Sequence, residues 1–208
     1  MPQMSELHQQ TTKFKLWAAT ADQRSGQWEC DYENWHDLWS AASNTITAYQ
    51  DGSIPDVEAF DLLYILGRDN ECEYVREGLL ASPELIAALA LRAIGSNDAD
   101  AKWQIAISVA ESKLPNAADL LRPFLCDTDE YVRRRTLMAF APFVPKEAEA
   151  IAIMNLDDEF EYTRIAALHV LHTVGSNSLD ASLDRLAADP SKYVRQNVEE
   201  LRASRKEA

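Results

Sequence analysis

Between residues 56 and 203 the apolar positions recur with the spacing of one helical face, and they do so in alternating segments that come in pairs. The first member of each pair is an apolar helical stretch: 56–66 (DVEAFDLLYIL), 83–94 (PELIAALALRAI), 115–125 (PNAADLLRPFL), 145–154 (PKEAEAIAIM) and 178–187 (SLDASLDRLA). Three of these open on proline, which suits the first turn of a helix because that N–H has no intrahelical partner, and Ser82 precedes Pro83 as a cap. The second member starts at a recurring tripeptide. Tyr131-Val132-Arg133 has counterparts in Tyr74-Val75-Arg76, Tyr162-Thr163-Arg164 and Tyr193-Val194-Arg195, with a degenerate copy in Lys102-Trp103-Gln104. Their third positions, 76, 104, 133, 164 and 195, lie 28 to 31 residues apart, a period that indicates stacked supersecondary units. Behind the tripeptide, Val132, Thr136, Leu137 and Phe140 fall on one helical face, as do Thr163, Ala167, Leu168 and Leu171. No two-residue alternation bounded by hairpin turns occurs, so strands are not expected.

Four residues ahead of each tripeptide stands a short polar acceptor: Asn70, Asp98, Asp127, Asp158 and Asp189. Such side chains bond the exposed N–H groups of a helix's first turn, and a negative charge there is favoured by the helix dipole. The pattern predicts five helix pairs, at about 56–82, 83–113, 114–143, 144–175 and 176–208. Residues 1–55 lack the signature but hold Trp17, Trp28, Trp35 and Trp39, and Tyr32, Trp35, Trp39, Ala42, Ile46 and Tyr49 form one apolar stripe. The expected role of that stripe is a capping layer over the open end of the stack, with an exposed aromatic binding site as the alternative. Residues 21–31 read as a loop between two helices. The last helix, with Gln196, Glu199 and Glu200, is polar enough to be the other cap. No flexible linker interrupts the chain, so one continuous domain is expected.

On the Asp…Val-Arg signature of the second helices, residues 56–203 resemble the HEAT-repeat family, including short bacterial proteins with lyase-type HEAT-like repeats. The resemblance implies an all-α, right-handed solenoid of the armadillo type. It also implies that Asp127, Asp158 and Asp189 form a structural ladder with Arg133, Arg164 and Arg195 between neighbouring repeats. Asn70 and Gln104 depart from the pattern in the first two repeats. In such solenoids the second helices line the concave face, and helical geometry puts Ile105, Val109, Arg134, Met138, Ile165 and His169 on it in the central repeats. These six are the expected partner-binding residues, unless the isoleucines and Val109 are buried between adjacent helices.

Composition narrows the function. The 208 residues are 47% hydrophobic and 26% charged, as in ordinary folded proteins, and carry a formal net charge of −14, which repels phosphate backbones and anionic lipid and attracts basic partners. Cys30, Cys72 and Cys126 lack the paired spacing of a zinc site or disulfide framework, and no apolar run follows the first residues. A cytoplasmic protein is expected. His169 and His172, three apart on one helix, have a spacing that can seat a metal, but a structural role is expected and no cofactor is assigned. Asp157, Asp158, Glu159 and Glu161 lack the spaced ligands and central glycine of a calcium loop. Among HEAT-like enzymes, a deoxyhypusine hydroxylase would carry His-Glu dipeptides, and none occurs here. A DNA alkylation-repair glycosylase would use Trp, Asp and arginines such as Arg133, Arg134 and Arg135, against which the net charge argues.

The reading that remains is a non-enzymatic interaction module that binds a basic or amphipathic protein segment through its concave face and acidic rim. An inhibitor or immunity-type protein against a basic toxin is a special case, and the glycosylase is the competing reading.

Overall fold

The computed structural model describes residues 4–20 and 28–207, so part of the expected 21–31 loop lies outside the described residues. Every regular element among the described residues is a helix. The chain forms two compact units, residues 1–120 and 121–208.

The first unit contains α1 (Glu6–Thr20), a 3₁₀ turn (Trp28–Asp31), α2 (Trp35–Ala48), α3 (Asp56–Arg68), α4 (Tyr74–Leu79), α5 (Pro83–Ala93) and α6 (Ala99–Glu111). Here α1 packs on α2 and α3, and α2 on α4. Phe14 is fully buried among Trp17, Tyr32, Trp35 and Tyr64, with ring centroids 4.9 to 6.1 Å away. Tilted and edge-on ring pairs of this kind are favourable beyond the area they bury. α6 is flanked by α3, α4 and α5, and buried side chains surround its axis: Trp103, Gln104, Ile105, Ala106, Ser108 and Val109. Ile105 and Val109, expected on a partner-binding face, have no exposed surface and belong to the core. The reason is that α6 is enclosed on three sides, by α3, α4 and α5, which realises for these two residues the burial that the sequence left open.

The expected third first helix, 115–125, is broken into α7 (Ala117–Leu121) and a 3₁₀ segment (Arg122–Cys126). Pro123 causes the break, because it has no N–H to donate and its ring collides with the preceding turn. The boundary between the units falls at the same place. The second unit continues with α8 (Glu130–Phe140), α9 (Pro145–Asn155), α10 (Glu161–Thr173), α11 (Leu179–Leu186) and α12 (Lys192–Glu207). Within it α8, α10 and α12 pack side by side, and α9 and α11 each pack on the helix that follows. The tripeptide's middle residue is buried in every copy (Val75, Trp103, Val132, Thr163 and Val194), while each leading tyrosine is exposed.

The expected helix starts need a shift in register. Asp98 does cap α6, accepting from the Ala101 N–H at 3.2 Å. α8, however, is capped by Asp129. Asp127, Asp158 and Asp189 instead accept from the backbone N–H two residues on, at 2.8 to 2.9 Å, and so turn the chain before the helix begins. The arginine six residues later closes this turn. Nη1 of Arg133 donates to the carbonyls of Asp127 and Thr128, Arg164 to those of Asp158 and Glu159, and Arg195 to those of Asp189 and Pro190. Gln104 departs from this pattern by reaching the Leu66 carbonyl at 2.6 Å. The implied ladder is present at one rung: Arg164 grips both oxygens of Asp189 at 2.8 and 2.9 Å. No equivalent pair joins Arg133 to Asp158 among the described residues, where the arginine spends its donors within its own repeat.

Candidate functional site

The first unit presents an aromatic edge along α2. Trp35 and Trp39, one turn apart, stack at 5.6 Å, and Trp39 stacks in turn on Tyr74 of α4 at 5.2 Å. The core-facing side of α2 is Leu38, Ala41, Ala42, Thr45 and Ile46, so the tryptophans of the expected stripe lie at its margin and are half-buried. They border two recesses.

Asp69 holds this edge in place. Its Oδ1 accepts from the Trp39 indole Nε1–H at 3.0 Å and its Oδ2 from the Val75 N–H at 2.7 Å, which ties α2 to the start of α4. Asp69, and not its neighbour Asn70, is the carboxylate that makes these bonds. It lies 29 residues before Asp98, as Asp98 lies before Asp127. Burial raises the Asp69 carboxyl to about 6, against the pull of the Val75 and Trp39 bonds that favour its ionised form. Because this folded-state value lies above that of an unfolded aspartate, protonation stabilises the fold. Asp69 should add stability as pH falls from 7 to 4, by about 2 kcal/mol, and by about 3 kcal/mol in full once the pH is below the unfolded aspartate value, at 1.36 kcal/mol per unit. The Trp39 indole proton resonance should titrate with a midpoint near 6. Asp69→Asn should abolish that titration and narrow its stability gap to wild type as the pH is raised. An indole resonance that stays flat from pH 4 to 8 would refute the assignment.

Between α2 and α4 lies a groove of about 350 Å³. Trp39, Ala42 and Ile46 form one wall, and Tyr74, Gly78 and Ala81 the other. Small residues keep it open, since a Cβ on Gly78 would meet Ile46 Cδ1 at 3.4 Å. At its base the Ser82 hydroxyl is buried and has no hydrogen-bond partner in the protein. A buried hydroxyl left unpaired is costly, so it marks a place where a polar atom of a ligand is favoured. Exposed Ser43, Thr47, Gln50 and Glu77 make the mouth polar. The surrounding unit is strongly acidic, with 19 Asp and Glu against 8 Lys and Arg, while the second unit has 15 against 12.

The remaining expected site residues lie in the second unit. Arg134 is engaged locally, bonded to Glu130 at 2.8 Å and packed over the rings of Tyr131 and Tyr162. Met138 is exposed and Ile165 half-buried. His169 bonds Asn197 at 2.9 Å, and among the described residues no group of three His, Cys, Asp or Glu side chains is arranged to hold a metal. The six expected residues thus divide between a core and a second-unit surface, while the groove belongs to residues the repeat pattern did not single out. One signal for it was in the sequence: Gly78 interrupts a helical run, which often marks a close approach or an opening.

Compared with known proteins, the sequence matches no family model, and no curated protein aligns with it significantly.

Proposed function

We propose that this chain is a HEAT-type right-handed α-solenoid of about five helix pairs behind an N-terminal cap. In this reading it acts in the cytoplasm as a non-enzymatic adaptor or inhibitor that binds a basic, amphipathic segment of another protein. The observation that carries the binding function is the α2–α4 groove: apolar walls, an aromatic end, an unpaired hydroxyl at the base and an acidic unit around it. An apolar anchor side chain would fill the groove and present a polar atom to Ser82, while flanking lysines or arginines meet the acidic surface. Charge of this sign raises association rates for cationic partners and disfavours nucleic acid. The repeat reading is supported by the tripeptide, the turn carboxylates and the three arginine clamps. The exposed tyrosines in the first turns of α4, α8, α10 and α12 add residues of a type enriched in binding hot spots.

The test is selection from a random peptide library against the full-length protein, with Gly78→Leu in counterselection. Leucine is a better helix former than glycine, so this variant plugs the groove without weakening α4. Selected peptides should carry an apolar residue among several lysines or arginines, bind at least tenfold more weakly to Gly78→Leu, and lose affinity as salt rises. Peptides that bind both proteins equally, or an acidic consensus, would sink the proposal.

A further inference from the structure

On the far side of Trp39 from the groove lies a smaller recess of about 120 Å³, walled by Trp35, Trp39, Arg68, Asp69 and Glu71. Two cysteines complete its lining: Cys30, from the 3₁₀ turn, and Cys72, from the connection between α3 and α4. They are 42 positions apart in sequence, and both thiols are free and exposed. The fold thus brings together two residues that their spacing alone would have kept separate. We propose that Cys30 and Cys72 are a redox-responsive thiol pair that hydroperoxide oxidation closes into a disulfide across this recess.

The chemistry balances with hydrogen peroxide as the two-electron oxidant. One cysteine, as its thiolate, attacks a peroxide oxygen, the O–O bond breaks, and after proton transfer a sulfenic acid and one water result. The second thiol then attacks that sulfur, forms the S–S bond and expels the hydroxyl oxygen as a second water. Two thiols and one peroxide give one disulfide and two waters, with both electrons passing from sulfur to oxygen.

The surroundings select this route over others. Burial pushes the Cys30 thiol up, and Cys72, Glu71, Glu29 and Asp31 push it the same way. The resting thiol is therefore protonated and slow, and its oxidation should accelerate with rising pH. The same carboxylates repel anionic disulfides such as oxidised glutathione, whereas an uncharged peroxide meets no such barrier. A disulfide here would join the 3₁₀ turn to the segment that carries Asp69, and so would bear on the Trp39 wall shared with the groove. Transient bonds of this sort are the kind found in reducing compartments.

The experiment treats the full-length protein with hydrogen peroxide, digests it with trypsin without reduction and reads the products by mass spectrometry. Cleavage after Arg24, Arg68 and Arg76 places Cys30 on peptide 25–68 and Cys72 on peptide 69–76. The expected product joins these two peptides with the loss of two hydrogens, and forms with quenching of tryptophan emission because Trp35 and Trp39 border the recess. Both changes should reverse with dithiothreitol. Cys126, in the second unit and outside the recess, is the internal control and should enter no intramolecular disulfide at the same dose. Cys30→Ser and Cys72→Ser should each leave a sulfenic acid on the remaining partner, trapped by dimedone and absent from wild type. Independent over-oxidation of the two cysteines, or a disulfide between two copies of the chain as the main product, would each overturn the proposal.

Discussion

Ile105→Ala should lower the stability of the first unit by about 2–5 kcal/mol, the range for deleting a fully buried aliphatic side chain whose cavity cannot collapse. Ile105→Glu should prevent that unit from folding, because a carboxylate placed among α3, α4 and α5 has no partner to offset its desolvation. The chain supplies its own reporter. All five tryptophans lie in residues 1–120, so tryptophan emission follows the first unit, while far-ultraviolet circular dichroism follows both. In a urea titration, Ile105→Ala should move the emission midpoint sharply downward. Ile165→Ala, at a half-buried site in the second unit, should leave that emission midpoint where it is in the wild type. If Ile105→Glu folds and only loses peptide binding, Ile105 is a contact residue after all and the core assignment is wrong.

The second large effect belongs to the Arg164–Asp189 pair. The Arg164 side chain is 11% exposed and that of Asp189 4% exposed, and the guanidinium also holds the Asp158 and Glu159 carbonyls. Arg164→Ala should cost about 3–5 kcal/mol, since it leaves a buried carboxylate without its counter-ion and two carbonyls without their donor. Arg164→Lys should recover only part of this, because an ammonium cannot bridge both carboxylate oxygens and the carbonyls together. Burial alone would raise the Asp189 carboxyl, but its bonds from Arg164 and the Ser191 N–H outweigh that and hold it below the ordinary aspartate range. The pair's contribution is therefore complete above the unfolded aspartate pKa and is lost as acid protonates the folded carboxylate, opposite in sign to Asp69. The check is the circular dichroism midpoint at neutral pH and again at a pH below the ordinary aspartate range. A loss under 1 kcal/mol at neutral pH would show that the rung contributes little.

The helices were legible from the sequence because their signals are local. Apolar spacing, prolines at first turns and the tripeptide each act within one or two turns of chain, and the structure returns a helix at each expected segment. Pro123 shows the limit: the apolar spacing of 115–125 carries through it, yet backbone geometry does not. Asp127 and Asp158 show another, since an acceptor near a helix start can bond as a cap or as a turn, and that choice depends on which N–H groups the loop turns inward. The groove was less legible because nothing local marks it. Its walls come from α2 and α4, its hydroxyl follows α4, and its opening depends on Gly78 being small opposite Ile46. The choice between surface and core for Ile105 and Val109 stayed open in the sequence for the same reason, since a helical wheel shows which side chains share a face and not how many neighbours surround the helix.

The arginine clamps bear on how such a chain changes length. In Arg133, Arg164 and Arg195 the donor and the carbonyls it holds lie within six residues of one another, so the clamp is encoded in a single short stretch of sequence. A duplication of residues 158–188 would arrive with its own turn carboxylate, guanidinium and target carbonyls, and with an apolar helix pair ready to stack. The Arg164–Asp189 rung would re-form at the new junction, because the copy begins with an aspartate where the old neighbour had one. A change of length by a whole period therefore keeps every clamp intact, whereas an insertion of a few residues between one of these aspartates and its arginine would part the donor from its carbonyls.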